Sequence, residues 1–153
     1  MTGDEHVQKA NSDIDLIKYL YKESIFMDWC IYACYIASYH LFEAAIFQKT
    51  KCSISGKTFE FRHLNDIYIK LRSAFTNEYF LLSQIVRENF SEVHGPYRTL
   101  SNIRNQARYG SCQIKKSAEA TLYINSLNQI IDFIAKEYPN FSIQKIDPKS
   151  HSR

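Results

Sequence analysis

The chain has 153 residues, of which 45% are hydrophobic and 14% aromatic, and its formal net charge is +3. This length accommodates one domain with a hydrophobic core, and the composition excludes a disordered chain, which would combine low hydrophobicity with high net charge. The sequence contains 4 glycines and 3 prolines. So few helix breakers favour long uninterrupted helices, and we expect an all-α fold.

The N-terminus and the cysteines both argue against export. The first residues, MTGDEHVQKANSD, contain no apolar run behind a basic start, so we do not expect a secretory signal. The 4 cysteines lack the paired short spacings of a zinc site, and a domain of this size does not need disulfides. We therefore expect a cytoplasmic protein.

Two long helices are predicted in the first third of the chain. Residues 4–23 carry an apolar stripe at helical spacing, and residues 25–49 are apolar nearly all round. The window 29–47 is about one membrane span long, but it includes His40 and Glu43, and charged groups are expensive at mid-bilayer. We interpret the second helix as the buried centre of a bundle and expect no association with a membrane.

The remaining two thirds of the chain predict a loop and further helices. Residues 49–60, KTKCSISGKTFE, contain turn formers and a glycine, so we expect a loop there. Helical spacing or helix boundary signals then recur in four segments: 61–75, 78–90, 97–109 and 114–138. Pro96 precedes the third of these segments, and Gly110 is placed to cap its C-terminal end.

These elements predict one domain and a short extension. No strand alternation or internal repeat is visible, so we expect an antiparallel up-and-down bundle of five or six helices over residues 1–138. Residues 139–153 have little to bury and are expected to form a mobile C-terminal tail.

Positive charge is concentrated in one part of the sequence. The stretch 97–116 contains five basic residues and no acid, so the remainder of the chain is net negative. Such asymmetry is typical of a protein with an anionic partner. The candidate nucleic-acid-binding residues in and beside this stretch are Arg98, Arg104, Asn105, Arg108, Tyr109, Lys115 and Lys116.

Two of these arginines share a helix face. Arg104 and Arg108 are four residues apart and project from the same side of the predicted helix, where they could hold one phosphate or two. The competing interpretation is that both arginines form ion pairs with acids on another helix, such as Asp66 or Glu78, and stabilise the bundle.

Three segments, taken in order, resemble a known family. The segments are WCIYACYIASYHLFEAAIF, FRHLNDI and YRTLSNIRNQARYG. They resemble the HEPN family of helical domains (higher eukaryotes and prokaryotes nucleotide-binding). In that family an aromatic helix with a His and then Glu-Ala is followed by a second His and later by an Arg-polar motif. The matching positions are Tyr35, Tyr39, His40, Glu43, Ala44, His63, Arg104, Asn105, Ala107 and Tyr109.

The resemblance implies a helical domain, commonly a homodimer, that cleaves RNA or binds RNA or a nucleotide in toxin-antitoxin and defence systems. A nucleotidyltransferase is a common partner in the family, and no cofactor is implied. Active members pair an Arg with a His four to six residues later, without a metal, at the dimer interface. Here Tyr109 occupies the position of that His, and a phenol with an ordinary pKa near 10 is a poor general base. We therefore favour binding over cleavage.

Two alternatives remain open. The first is a metal-independent ribonuclease that acts at a dimer interface, with Arg104 and Tyr109 as catalytic residues, or with His94 or His40 from the facing subunit. Ten helical residues place His94 about 15 Å from Arg104 within one chain. The second alternative is a non-catalytic protein-interaction module.

A polar group is predicted within the aromatic core. His40 and Glu43 lie one helical turn apart, and His63 begins a neighbouring helix, so the three side chains could meet. His and Glu at this spacing would serve as metal ligands. We instead interpret His40, Glu43 and His63 as a hydrogen-bonded polar network, because buried polar groups normally find partners, and we expect no metal.

Overall fold

The computed structural model describes residues 1–108 and 117–147. Across these two ranges the fold is a bundle of six α-helices with one small two-stranded sheet. The helices are α1 (Gly3–Glu23), α2 (Met27–Lys49), α3 (Leu64–Leu71), α4 (Glu78–Asn89), α5 (His94–Arg108) and α6 (Ser117–Glu137). The strands are β1 (Lys51–Ile54) and β2 (Lys57–Glu60). The prediction of a mostly helical bundle is confirmed.

Helices α1 and α2 form an antiparallel hairpin. The side chain of Thr2 caps α1 by accepting a hydrogen bond from the amide of Glu5, and the chain turns at Ser24–Phe26, where Phe26 has φ +49°. Early residues of α1 lie beside late residues of α2: His6 lies near Glu43, whereas Ile17 lies near Cys30. This register places the N-terminal half of α1 beside the C-terminal half of α2.

Helix α2 is the centre of the bundle. It packs against α1, α5 and α6, and small residues such as Ala37, Ala44 and Ala45 are fully buried where these helices approach it. By length and composition α2 is apolar enough to cross a membrane, but 67% of its most apolar window is buried inside the bundle. The prediction of a buried core helix is confirmed.

The segment between α2 and α3 is a β-hairpin, so the prediction of a loop without strands is wrong. Strands β1 and β2 pair in antiparallel register from Lys51 opposite Glu60 to Ile54 opposite Lys57. Ser55 and Gly56 form the turn with φ +52° and +81°, as a two-residue hairpin connection requires. Each strand has four residues, too few for their alternation to be recognised.

The C-terminal end of α4 holds this hairpin in place. The Glu88 carboxylate accepts hydrogen bonds from the amides of Ser55 (2.6 Å) and Gly56 (3.0 Å), and the Asn89 side chain bonds both backbone groups of Ser53. The hairpin is therefore part of the domain.

Two helix boundaries also differ from the prediction. Helix α3 is shorter than the predicted 61–75, and α5 begins at His94, so Gly95 and Pro96 belong to its first turn. Proline is tolerated there because the first-turn amides have no partner within the helix. His94 consequently shares a helix with Arg104.

We expected the chain beyond Pro139 to have little to bury. For residues 140–147, which the structure describes, this prediction is wrong. Phe141 and Ile146 are buried, with 8% and 4% of their surfaces exposed. Asn128 of α6 pairs with both backbone groups of Ile146, at 2.7 and 3.2 Å. Asn11 of α1 accepts from the amide of Gln144 and donates to the carbonyl of Ser142. This segment therefore crosses α6 and α1.

Candidate functional site

A groove of about 900 Å³ lies between α4 and α5. Helix α4 contributes Tyr79, Phe80 and Arg87 to its wall, and α5 contributes His94, Arg98, Ser101, Asn102, Arg104 and Asn105. The groove is open to solvent, and its wall carries both guanidinium groups and aromatic rings.

The groove wall is positively charged. The described lining residues include three arginines, Arg87, Arg98 and Arg104, and no aspartate or glutamate. Burial lowers the pKa of His94 below its ordinary value, and the nearby Arg98 and Arg87 lower it further. His94, Arg87 and Arg98 all line the groove. An anion in this place would meet converging positive charge.

Arg104 lies against two aromatic rings, one from the groove wall and one from the core. Its guanidinium carbon is 4.5 Å from the centroid of Tyr79 and 5.5 Å from that of Tyr35. One terminal nitrogen, Nη1, donates to the Ser101 hydroxyl (3.1 Å) and weakly to the Ser101 carbonyl (3.4 Å). A guanidinium has five N–H groups, so donors remain for a ligand. The stacking orients the charged group before any ligand arrives.

A cluster of four tyrosines supports Arg104. The ring of Tyr35 contacts those of Tyr39, Tyr79 and Tyr97, and Tyr39 also contacts Tyr79, with centroid separations from 5.7 to 6.4 Å. Burial raises the pKa of Tyr35, Tyr39 and Tyr97 well above the ordinary value, so these phenols remain protonated. They form a neutral aromatic layer, of which Tyr35 contacts Arg104 directly.

The interpretation of Arg104 as an interhelical ion-pair residue is not supported. Glu78 accepts a hydrogen bond of 2.9 Å from the Tyr39 hydroxyl, and Arg104 forms no ion pair with Glu78 or Asp66 in the part of the chain that the structure describes. Arg104 is therefore held by aromatic stacking and by its own helix.

The structure brings together several of the predicted site residues. Arg98, Arg104 and Asn105 line the groove, whereas the exposed Arg108 lies one turn beyond Arg104, outside the groove wall. Tyr109, Lys115 and Lys116, together with Gly110, lie outside the described residues. His94 lines the same groove as Arg104, on the same helix but ten residues away.

Sequence reasoning missed the contribution of α4. Phe80, Gln84 and Arg87 are spaced by four and three residues, which places them on one helix face that forms the opposite wall of the groove. That spacing was visible in the sequence. Nothing in the sequence indicated that this face would lie opposite Arg98 and Arg104.

A second polar cluster lies between α1 and α2. His40 Nδ1 is 3.0 Å from Glu43 Oε1, as the spacing predicted, and Nδ1 of His6 is 3.7 Å from the same oxygen. Asp13 Oδ2 lies 3.9 Å from His40 Nε2. His63 contacts the ring of His6, with 6.4 Å between centroids. His6 and Asp13 were missed because they lie on the first helix, far away in sequence.

Burial affects the titration of this second cluster. It lowers the pKa of His6, which is 5% exposed, and raises the pKa of the Asp13 carboxyl. The His6 imidazole is therefore held in its neutral form, in which one ring nitrogen is an acceptor or ligand.

No protein-family model, curated protein or solved structure matches the chain. The geometry of the groove and of the polar cluster therefore carries the functional argument.

Proposed function

We propose that the protein binds RNA or a nucleotide through phosphate groups held in the groove between α4 and α5. The observation that carries the proposal is the convergence of Arg87, Arg98 and Arg104 on a groove whose described lining contains no carboxylate. Arginine suits phosphate because its planar fork of N–H donors matches two phosphate oxygens.

The aromatic rings of the groove favour a nucleic acid over inorganic phosphate. Phe75 and Phe80 line the groove beside the arginines, and 56% of the Phe80 surface is exposed. Exposed aromatic rings beside positive charge are typical of sites that bind single-stranded nucleic acid, because bases stack on the rings while the backbone contacts the charges.

The resemblance to HEPN domains supports the same function. Arg104 and Asn105, which carry the Arg-polar part of that resemblance, lie in the groove. On the resemblance, the proposal extends to a cytoplasmic homodimer of a toxin-antitoxin or defence system, with a nucleotidyltransferase as partner. Arg108 lies one turn from Arg104 and would extend the phosphate-binding surface beyond the groove.

The test of binding is fluorescence anisotropy with a labelled single-stranded RNA. Arg98 is exposed, and no hydrogen bond or ion pair holds it within the described chain, so Arg98→Ala changes the groove with little effect on packing. Loss of a charged hydrogen bond to phosphate should weaken the affinity about tenfold. Arg72→Ala, an exposed arginine outside the groove, is the matched control and should bind as the wild type does. Equal affinity of both variants would refute the proposal.

The same samples separate binding from cleavage. The titration is run in EDTA, and the RNA is then resolved on a denaturing gel. A binding protein leaves the RNA intact. Cleavage that Arg104→Ala and His94→Ala both abolish would instead favour the metal-independent ribonuclease, with the two residues contributed by facing subunits of a dimer. Absence of any RNA affinity at moderate salt would favour the protein-interaction module.

A further inference from the structure

The antiparallel hairpin of α1 and α2 brings together a set of metal-ligand atoms. One imidazole nitrogen of His6, one of His40 and one carboxylate oxygen of Glu43 all lie within 4.8 Å of one another. His6 comes from α1, whereas His40 and Glu43 come from adjacent turns of α2. Two imidazoles and a carboxylate are a common ligand set for zinc.

One of these ligand atoms has no hydrogen-bond partner. His6 is 5% exposed, and its Nδ1 atom is buried without a hydrogen bond, although it lies 3.7 Å from Glu43 Oε1. Buried polar atoms are nearly always hydrogen-bonded, because an unmatched one retains its full desolvation cost. The unpartnered nitrogen therefore indicates that a group able to bond it belongs between His6 and Glu43.

Asp13, on the other side of His40, also has a buried oxygen without a hydrogen bond. Its Oδ2 atom is buried and has no hydrogen bond, and it lies 3.9 Å from His40 Nε2. Within the described residues no lysine or arginine forms an ion pair with Asp13 or Glu43. The carboxylates of Asp13 and Glu43 are thus partly buried beside imidazoles, and no lysine or arginine of the described chain pairs with either of them.

We propose that His6, His40 and Glu43 bind a divalent zinc-type transition-metal ion between α1 and α2. His6 Nδ1, His40 Nδ1 and Glu43 Oε1 are the ligands. Nε2–H of His40 then donates to Asp13 Oδ2, an outer carboxylate that orients the ring and fixes its tautomer.

The spacing of the atoms fits such an ion. Zinc bonds of roughly 2.0–2.1 Å in a tetrahedral arrangement separate neighbouring ligand atoms by roughly 3.3–3.4 Å. Two of the separations, 3.0 Å from His40 Nδ1 and 3.7 Å from His6 Nδ1 to Glu43 Oε1, lie on either side of this value.

A polar network without a metal accounts for fewer of these features. The hydrogen bond between His40 Nδ1 and Glu43 Oε1 pairs those two atoms, but it leaves Nδ1 of His6 and Oδ2 of Asp13 without partners. A metal ion bonds the first atom, and the tautomer that the metal imposes on His40 provides a donor to the second. The ion also links the N-terminal helix to the core helix, so it would stabilise the fold.

The test is a zinc titration of the full chain, stripped of metal with a chelator that is then removed. Isothermal titration calorimetry should show one zinc ion per chain, and the melting temperature should rise with zinc but not with magnesium, which prefers oxygen ligands. His6→Gln and Glu43→Gln should each weaken zinc binding more than about 100-fold, and Asp13→Asn about 10- to 100-fold. Asp15→Asn, an exposed carboxylate on the same helix, is the control and should bind as the wild type does.

Cysteine thiolates are the main alternative ligands for the added zinc. The absorption spectrum of bound cobalt(II) distinguishes them from imidazole and carboxylate ligands. Cobalt(II) bound by imidazole and carboxylate should show visible d–d bands without the thiolate charge-transfer band that cysteine ligands produce. Failure of the wild type to bind zinc would overturn the proposal, as would unchanged affinity in Glu43→Gln. If His6→Gln does not fold, Glu43→Gln decides, because the amide keeps the size and hydrogen bonding of the side chain. The RNA titration compares Arg98→Ala with the wild type in the same metal-free state, so its outcome is distinguishable from this result.

Discussion

The guanidinium group of Arg104 lies over the ring of Tyr79, 4.5 Å from the ring centroid, and so joins the two walls of the groove. Tyr79 belongs to α4 and Arg104 to α5. The contact positions a charged group on an aromatic surface and leaves part of its N–H fork directed to a ligand.

Replacement of Arg104 by lysine separates charge from stacking. Arg104→Lys keeps the positive charge but loses the planar fork that packs on Tyr79 and Tyr35, so the free energy of unfolding should fall by about 1 kcal/mol. RNA affinity should fall as well, because an ammonium group cannot grip phosphate with two parallel bonds. Urea denaturation and anisotropy measure the two effects. Arg72→Lys is the control, and an unchanged stability in Arg104→Lys would show that the stacking contributes nothing.

Binding at the groove should depend on pH through His94. Burial, Arg98 and Arg87 all lower the pKa of the free protein's His94, so the imidazole is neutral at pH 7. A phosphate bound beside it favours the protonated form, and RNA binding should therefore take up a proton. Affinity should rise as the pH falls towards the lowered pKa of His94 in the free protein. His94→Asn should remove most of this rise. A pH dependence that His94→Asn retains would place the titrating group elsewhere.

The free energy of unfolding of the ligand-free protein depends on pH through His94 in the opposite direction to RNA affinity. Because the folded protein holds His94 neutral, its contribution to stability is present above the ordinary pKa. It is lost as the pH falls through the lowered one. RNA affinity should accordingly be measured only at pH values at which circular dichroism shows that the protein is folded.

The C-terminal segment should contribute to stability through Asn128. Asn128→Ala removes two hydrogen bonds to the backbone of Ile146 and leaves those partly buried groups without partners, which should cost about 1–2 kcal/mol. Urea denaturation measures the change. Asn65→Ala, at an exposed position on α3, is the control. Equal stability of the two variants would show that residues 139–147 do not hold the bundle together.

The helical elements could be predicted from the sequence because their signals are local. The apolar stripe of α1 and the apolar run of α2 each lie within a single helix, and helical periodicity needs no knowledge of the partner. The hairpin at Ser55 and Gly56 was missed because its strands are too short for alternation to be visible. The burial of Ile146 depends on a partner on another helix, Asn128, which a local pattern does not contain.

The candidate sites were predictable only in part for the same reason. The four-residue spacing of Arg104 and Arg108 suggested a phosphate site, but only the packing of α4 on α5 shows that Arg87 joins Arg98 there. His40 and Glu43 are one turn apart and were paired correctly. His6 approaches them through the register of the antiparallel helix hairpin, and no sequence interval indicates that register.

The salt dependence of RNA binding tests the phosphate-binding groove most directly. Each phosphate contact on a single strand contributes about 0.7 to the slope of log affinity against log salt, so Arg87→Ala/Arg98→Ala should flatten the wild-type slope by about 1.4. The groove account predicts this change together with weaker binding at every salt concentration. A slope and affinity equal to those of the wild type would contradict it.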